Sequence, residues 1–313
     1  MQSKSQAYSL STLEVAGQPA PAIEIGGRYF DILSVAPDLV QNRAGGLSDI
    51  LTSWDRNEAK LADLAVKLAS GAPAAEELTP PAEGDYLRLL SYPSKMIFAG
   101  LNYHDHLRND LGITDFDKSA VDPLFFLKHR GALYPSGRPI SFPRQTKELD
   151  WEVELVVIIG RAGRHVKAAD AMSHVAGYAI GLDLSARDWQ MSKRHMRQFD
   201  LFGGKAFDDS SPVGPCFVPA ACIDPGDLAI KLWVNDELKQ SSSTSEMIWS
   251  ISELIEAITQ HMAIEPGDML FSGSPAGVGL VRQTYLKPGD TIRAEIAGLG
   301  RLTTWLDSPS GTH

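Results

Sequence analysis

The run Asp150-Trp151-Glu152-Val153-Glu154-Leu155-Val156-Val157-Ile158-Ile159-Gly160 constrains this chain more than any other stretch. It reads as a buried strand that opens with two carboxylates at i and i+2. Side chains alternate across a strand, so Glu152 and Glu154 share a face. Two anions beside an apolar run are costly unless something positive sits between them. Oxygen-only donors of this kind favour a hard cation, Mg²⁺, Mn²⁺ or Ca²⁺. The competing reading is an edge strand with a solvated acidic face.

At 313 residues the chain has room for one large domain or two smaller ones. Its net charge of −10 argues against a nucleic-acid partner or an anionic membrane surface, and leaves an anionic substrate possible where cations converge locally. Met1 to Leu10 is polar and lacks a signal-peptide core, and no apolar run reaches membrane-spanning length. Cys216 and Cys222 are the only cysteines, which argues against a disulfide framework or a thiolate metal site and predicts a reducing cytoplasm.

Tyr8 to Leu33 reads as short strands with turns at Gly17-Gln18-Pro19 and Gly26-Gly27. Helical spacing runs from Leu47 to Leu68, and Gly71 to Gly84 reads as a linker. These segments predict a small N-terminal α+β module over residues 1–90 and a second domain over 91–313. In the second, apolar strand-like runs recur at Met96–Ala99, Leu124–Leu127, Leu155–Ile159, Tyr178–Leu182, Leu228–Val234, Met269–Phe271 and Thr291–Ile296. Helices are fewer: Ala168 to Val175, and one opened by the capping box Ser250-Ile251-Ser252-Glu253. Many strands with few helices predict a mostly β, α+β body without alternating βαβ units.

Asp183 ends the strand Tyr178–Leu182 and either completes a three-oxygen site with Glu152 and Glu154 or caps the segment that follows. In His104-Asp105-His106, an H-x-H metal pair competes with a single general base and with plain surface polarity. Gly273-Ser274-Pro275-Ala276-Gly277-Val278-Gly279 matches neither a dinucleotide fingerprint nor a nucleophile elbow. It is a glycine-rich turn whose N–H groups and Ser274 hydroxyl could hold a carboxylate, or simply a connection. Lys128, Arg130, Arg187 and Lys205 follow these elements and are either solvated charges or the walls of a pocket for an anionic, metal-chelating small molecule.

Taken together, these segments resemble the fumarylacetoacetate hydrolase family over roughly residues 94–306. The order is Ala99-Gly100-Leu101-Asn102-Tyr103-His104-Asp105-His106, Phe126-Leu127-Lys128, Asp150-Trp151-Glu152-Val153-Glu154-Leu155, Asp183-Leu184-Ser185-Ala186-Arg187-Asp188, Gly204-Lys205-Ala206-Phe207 and Ser272-Gly273-Ser274-Pro275-Ala276-Gly277-Val278-Gly279. Each motif alone is unspecific; six in one order are specific. The resemblance implies a mixed β-roll and a homodimer. It implies a divalent metal, Mg²⁺ or Mn²⁺, held by Glu152, Glu154 and Asp183. It implies His106 as the catalytic histidine, with Lys205 and Gln190 beside it. Ser274 and Gly273 of the turn, with Lys128 and Arg187, are expected to bind substrate. The chain departs from the family at one point: Asn109 stands where many members have a Glu that activates the histidine, and Met269 stands at a second such position. Asp110, one residue along, is the available substitute. Without a carboxylate partner His106 is a weaker base.

The expected reaction is hydrolysis of a C–C bond in a 2,4-dioxo acid of the acylpyruvate type, through a metal-bound enolate. His106 activates water, and Lys205 and Gln190 stabilise the oxyanion. The alternatives are decarboxylation of an oxaloacetate-type β-keto acid, isomerisation of a dienedioate, and a non-catalytic metal or ligand-binding β module. Decarboxylation needs no attacking water, so Asn109 favours it. The substrate tail is expected to meet residues 107–122 and 191–202.

Overall fold

Alternation along Val153–Ile159 organises the molecule. In the computed structural model, which describes residues 6–71 and 76–308, this strand is buried throughout. Val153, Leu155, Val157 and Ile159 enter one core, and Val156 and Ile158 enter a second on the opposite face. Glu152 and Glu154 have the parity of Val156 and Ile158. The period-2 pattern that buries this strand therefore also aims two carboxylates the same way.

The strand lies within an eleven-stranded mixed sheet. It pairs antiparallel with Val175–Leu182 and with Met269–Phe271. Met269–Phe271 runs parallel to Met96–Gly100, which pairs with Leu124–Lys128. A five-stranded sheet covers the first core in the order Glu237–Ser243, Ala229–Val234, Thr291–Ile296, Gly300–Asp307, Pro139–Ser141. Helix Ile251–His261 closes that core with Ile251, Leu254, Ile255 and Ile258. Its capping box forms as expected: Ser250 Oγ accepts from Glu253 N–H, and Glu253 Oε2 accepts from Ser250 N–H. The expected mostly β, mixed α+β roll is what the chain forms.

The N-terminal strands Ser9–Val15, Gln18–Ile25 and Arg28–Asp31 form a meander. Positive φ at Ala16 and Gly17, and again at Gly26 and Gly27, makes its two tight turns. The meander continues the large sheet through Leu10 opposite Phe217, and its apolar residues share the second core with Phe98, Val156 and Phe271. The expected helix over 47–68 is two, Gly46–Thr52 and Trp54–Ala69, broken at Ser53. The break lets Leu47, Ile50 and Leu51 of the first and Trp54, Leu61 and Ala65 of the second reach the same core. Parts of the expected polar N-terminus and linker, residues 1–5 and 72–75, lie outside the described residues. Among the described residues no helix is long and apolar enough to cross a membrane.

Candidate active site

Strand register builds the acidic floor. Val153 faces Leu182 and Glu154 faces Gly181, so the next pair outward is Glu152 opposite Asp183. The Asp183 N–H donates to the Glu152 carbonyl at 2.9 Å. The cross-strand neighbour thus adds a third carboxylate to the i, i+2 pair. One oxygen from each of Glu152, Glu154 and Asp183 lies within 4.8 Å of the other two, and all three residues are buried. Asp183 caps no helix; a two-residue strand, Ser185–Ala186, follows it and pairs with Leu149–Asp150.

Three cations hold this floor. Lys205 Nζ lies 2.7 Å from Glu152 Oε2 and 2.5 Å from Asp183 Oδ2. Lys128 Nζ lies 2.6 Å from Asp183 Oδ1. Arg187 pairs with Asp150 at 2.9 Å and with Glu152. Glu154 is bound differently, accepting the Gly273 N–H at 2.8 Å. Burial opposes charge on Glu152, but Arg187 and then Lys205 prevail and bring it down to about 2. Burial, reinforced by Asp183 and Glu152, pushes Glu154 well above its ordinary 4.5. With Asp150 included, four carboxylates face three cations, and Glu154 is the one without a cationic partner. An all-oxygen set with surplus negative charge fits a divalent Mg²⁺ or Mn²⁺, which Glu152, Glu154 and Asp183 would hold.

The raised Glu154 carboxyl has a measurable consequence. A metal must displace the proton that Glu154 retains, so Mn²⁺ affinity is expected to strengthen as pH rises above the ordinary carboxylate value of 4.5 towards the raised one. Titration calorimetry in two buffers of different ionisation enthalpy measures the released proton. Proton-free binding with flat pH dependence would contradict the assignment.

Three residues expected to touch substrate are engaged with the floor. Lys128 is fully buried behind Asp183, where its ammonium also meets Ser210 Oγ at 3.1 Å and the carbonyls of Ser210 and Leu184. Burial pushes it down to about 8 against the pull of Asp183, and it does not reach the cavity. Arg187 borders the cavity, but its donors go to Asp150, Gln190 and Glu152. Gly273 spends its N–H on Glu154 and takes φ 99°; a Cβ there would lie 2.7 Å from that of Asn102.

Besides Arg187, four expected residues line one cavity with the triad: His106, Gln190, Lys205 and Ser274. Lys205 ends the short helix Leu201–Lys205, capped by Asp200, which accepts the N–H groups of Phe202 and Gly203. Gly204 lets this helix press on Arg187–Gln190, since a Cβ would lie 2.4 Å from Gln190 Cβ. Gln190 Oε1 accepts from Arg187 at 2.8 Å, so its NH₂ is the group it can offer the cavity. Lys205 likewise has three donors and gives two to carboxylates.

His106 opens a π-helical turn, His106–Asp110. Asp110, four residues on, lies on the same side of the turn as the ring, while Asn109 is exposed. His106 Nδ1 lies 2.6 Å from Asp110 Oδ2, which also accepts the Gly277 N–H at 2.9 Å. Burial works against the Asp110 charge, but His106 and Gly277 hold its carboxyl below the usual range. An ionised carboxylate only accepts, so Nδ1 carries a proton, and the neutral form of the ring has its lone pair on Nε2. The histidine therefore has its carboxylate partner, one residue beyond the family's position. Neither His104 nor His106 joins a three-residue cluster of metal-binding type; among the described residues the group that could hold a metal ion is Glu152, Glu154 and Asp183.

Asp150 is a site residue that sequence reasoning missed. Fully buried, it accepts from Arg187 Nε and from the N–H groups of Gly279 at 2.6 Å and Leu280 at 2.9 Å. It thereby ties the segment that carries Glu152 and Glu154 to the glycine-rich turn. The signal was present, because Asp150, Glu152 and Glu154 form an i, i+2, i+4 series.

The cavity encloses about 170 Å³. Sites for drug-sized ligands run to roughly 300–1,000 Å³, so this one suits a molecule of a few carbons. Its floor is charged. Leu111, Leu124, Met191, Phe199, Leu280 and Val281 make its upper walls.

Residues 95–306 match the family model for the fumarylacetoacetate (FAA) hydrolase C-terminal domain. Oxaloacetate tautomerase FAHD2B, mitochondrial, from Bos taurus is 37% identical over 278 residues, covering 88% of this chain and 82% of that protein. The Homo sapiens FAHD2A tautomerase is 37% identical over 249 residues, 79% of this chain and 76% of its own. Among solved structures, fumarylacetoacetate hydrolase (EaFAH) from psychrophilic Exiguobacterium antarcticum superposes with a TM-score of 0.79 at 29% identity, over 96% of this chain and 99% of that one. Fumarylpyruvate hydrolase from Pseudomonas aeruginosa, solved with Mn²⁺ and pyruvate, gives 0.62 at 32% identity over 74% of this chain and all of its own. A match over residues 95–306, relatives this similar along most of the chain and the carboxylate floor lead to one conclusion: the chain is an enzyme of the fumarylacetoacetate hydrolase family.

Proposed function

We infer that this chain moves a proton on a small 2-oxo acid of the oxaloacetate type, interconverting its enol and keto forms through an enolate. The observation that carries this is the His106–Asp110 pair at 2.6 Å on the wall of the cavity floored by the carboxylate triad. Decarboxylation needs no base. A histidine fixed in one tautomer is suited to reactions that do. Relatives named as oxaloacetate tautomerases at 37% identity support the same reading.

Ketonisation removes the proton on oxygen 2 of the enol and adds one at carbon 3. His106 Nε2 is the group we assign to take the proton from oxygen 2 and return it at carbon 3. The third Lys205 proton and the Gln190 amide would stabilise the oxygen on which enolate charge collects. The Ser274 hydroxyl would hold the carboxylate. A divalent metal on Glu152, Glu154 and Asp183 would supply a Lewis acid for that charge. Apolar walls at Leu111, Leu124 and Phe199 would keep water from the reacting carbon.

A second reading is hydrolytic C–C cleavage of an acylpyruvate, with His106 taking a proton from water. The apolar upper walls favour it because they suit an acyl tail, and a solved neighbour is titled a fumarylpyruvate hydrolase. Loss of enol absorbance from oxaloacetate, followed with Mn²⁺ and with chelator, tests the first reading. The expected result is metal-dependent ketonisation above the spontaneous rate. Acetylpyruvate cleaved while the oxaloacetate enol decays at its spontaneous rate would overturn it in favour of hydrolysis.

A further inference from the structure

We propose that Gln240 is a positioning residue that occupies an acceptor site of the Ser274 hydroxyl and so turns its proton away from Gln240 and into the cavity. The inference rests on the reading above in one respect, that Ser274 meets the substrate carboxylate.

Gln240 belongs to Glu237–Ser243, an edge strand of the five-stranded sheet, and is 1% exposed. Its amide crosses to the other sheet and makes three bonds there. Oε1 accepts the Val153 N–H at 3.0 Å. Nε2 donates to the Pro275 carbonyl at 2.8 Å and to Ser274 Oγ at 2.9 Å. These partners admit one orientation of the amide, because a backbone N–H requires an acceptor and a carbonyl requires a donor. Nε2 is therefore the atom at Ser274, and it can only donate. A hydroxyl that accepts from Gln240 must direct its own proton elsewhere, and Ser274 lines the cavity. The buried amide thus leaves the hydroxyl proton to be donated to an anionic oxygen in the cavity.

The same side chain anchors the floor. Val153 is the residue between Glu152 and Glu154, so the Oε1 bond holds the backbone that carries both carboxylates. Gln240 therefore sets the distance between the carboxylate floor and the Ser274 donor, through bonds that involve neither a substrate nor a metal.

Gln240→Glu separates the two tasks. A carboxylate still accepts from Val153 N–H, so the floor is kept, but it draws the Ser274 proton to itself. Gln240→Met can neither accept nor donate, and it guards against rescue by a protonated Glu. The probe is pyruvate, titrated calorimetrically into full-length protein saturated with Mn²⁺, with Mn²⁺ affinity measured separately. A hydrogen bond to a charged group is worth a factor of about 10–100 in affinity. Gln240→Glu is expected to weaken pyruvate by that factor, as Ser274→Ala does, with Mn²⁺ affinity within a few-fold of wild type. The double variant Gln240→Glu/Ser274→Ala should bind no more weakly than Ser274→Ala alone. Gln240→Met should show the same loss of pyruvate, together with a lower melting temperature from the unpaired Val153 N–H.

Additive losses in the double variant overturn the proposal. So does wild-type pyruvate binding by both Gln240 variants while Ser274→Ala is weakened; in that case the reading of the site stands. Wild-type binding by Ser274→Ala, or no pyruvate binding by the Mn²⁺-loaded wild type, overturns that reading and the proposal with it.

Discussion

Replacing Glu154 by Gln is expected to abolish metal-dependent turnover while leaving the metal-free protein at least as stable as wild type. Glu154 is the floor carboxylate with no cation of its own, and burial beside Asp183 and Glu152 raises its carboxyl well above 4.5. The sign follows from linkage. Above its ordinary value the unfolded chain has lost a proton that the fold retains, so this group makes metal-free stability fall as pH rises towards the raised value. Gln keeps the acceptor for Gly273 N–H and removes the anion, so that loss disappears. Metal binding fails for the same reason, because a neutral amide replaces a charged ligand. Loss of an outer partner costs about 10–100-fold in metal affinity or activity, and loss of a ligand should exceed this. At a hundredfold excess of Mn²⁺ over its dissociation constant the wild type should gain about 2.7 kcal/mol, and the variant nothing. Thermal melts with and without Mn²⁺ measure both halves. Full Mn²⁺ stabilisation in the variant would place the metal elsewhere.

The parts of this site that could be read from the chain obey local periodicity. Glu152 and Glu154 share a face because strands repeat every two residues, and no tertiary knowledge is needed for that. Ser250 and Glu253 announce a helix start because a capping box is a local exchange of hydrogen bonds. What escaped depends on register and on counter-charges. Asp183 could be a ligand or a cap until Val153 was seen opposite Leu182, which sets Asp183 across from Glu152. Lys128 and Arg187 look like substrate cations in one dimension. In three dimensions the buried carboxylates nearest to them claim their donors first, since an unpaired buried charge costs far more than a substrate contact returns. Lys205 escapes that fate in part because an ammonium has three donors and the floor uses two.

Asp110 shows the limit of motif reasoning. The family position of the activating carboxylate is occupied by Asn109, and spacing alone predicts a weakened base. Helical i,i+4 spacing sets the neighbouring residue, Asp110, beside the ring, which a motif match at the family's position does not count. The N-terminal strands are a second case. Leu10 pairs with Phe217, far along the chain, so a composition shift near residue 90 could not show that the first strands extend the catalytic sheet.

His106→Ala is the substitution expected to separate the possible chemistries. A positioned general base contributes about 10²–10⁴-fold, so enol–keto conversion and acylpyruvate hydrolysis should both fall by that factor, with Mn²⁺ affinity unchanged. Decarboxylation of oxaloacetate, which requires only stabilisation of the departing electron pair, should survive within about tenfold, because Lys205, Gln190 and the carboxylate floor are intact. Asp110→Asn tests how the histidine is held. Ionised Asp110 accepts from Nδ1, so the neutral ring presents its Nε2 lone pair to the cavity. An Asn amide can donate to Nδ1 instead, which moves the ring proton to Nε2 and removes the base; the same exchange in a serine-protease triad costs about 10⁴. Asp110→Asn should therefore fall with His106→Ala in base-dependent turnover, and the double variant should be no worse than His106→Ala. Rates of ketonisation, acetylpyruvate cleavage and CO₂ release, measured on the three variants at one Mn²⁺ concentration, decide the matter. If all three reactions fall together in His106→Ala, the histidine binds substrate and carries no proton. If only CO₂ release falls, the assignment of proton transfer to this pair is wrong.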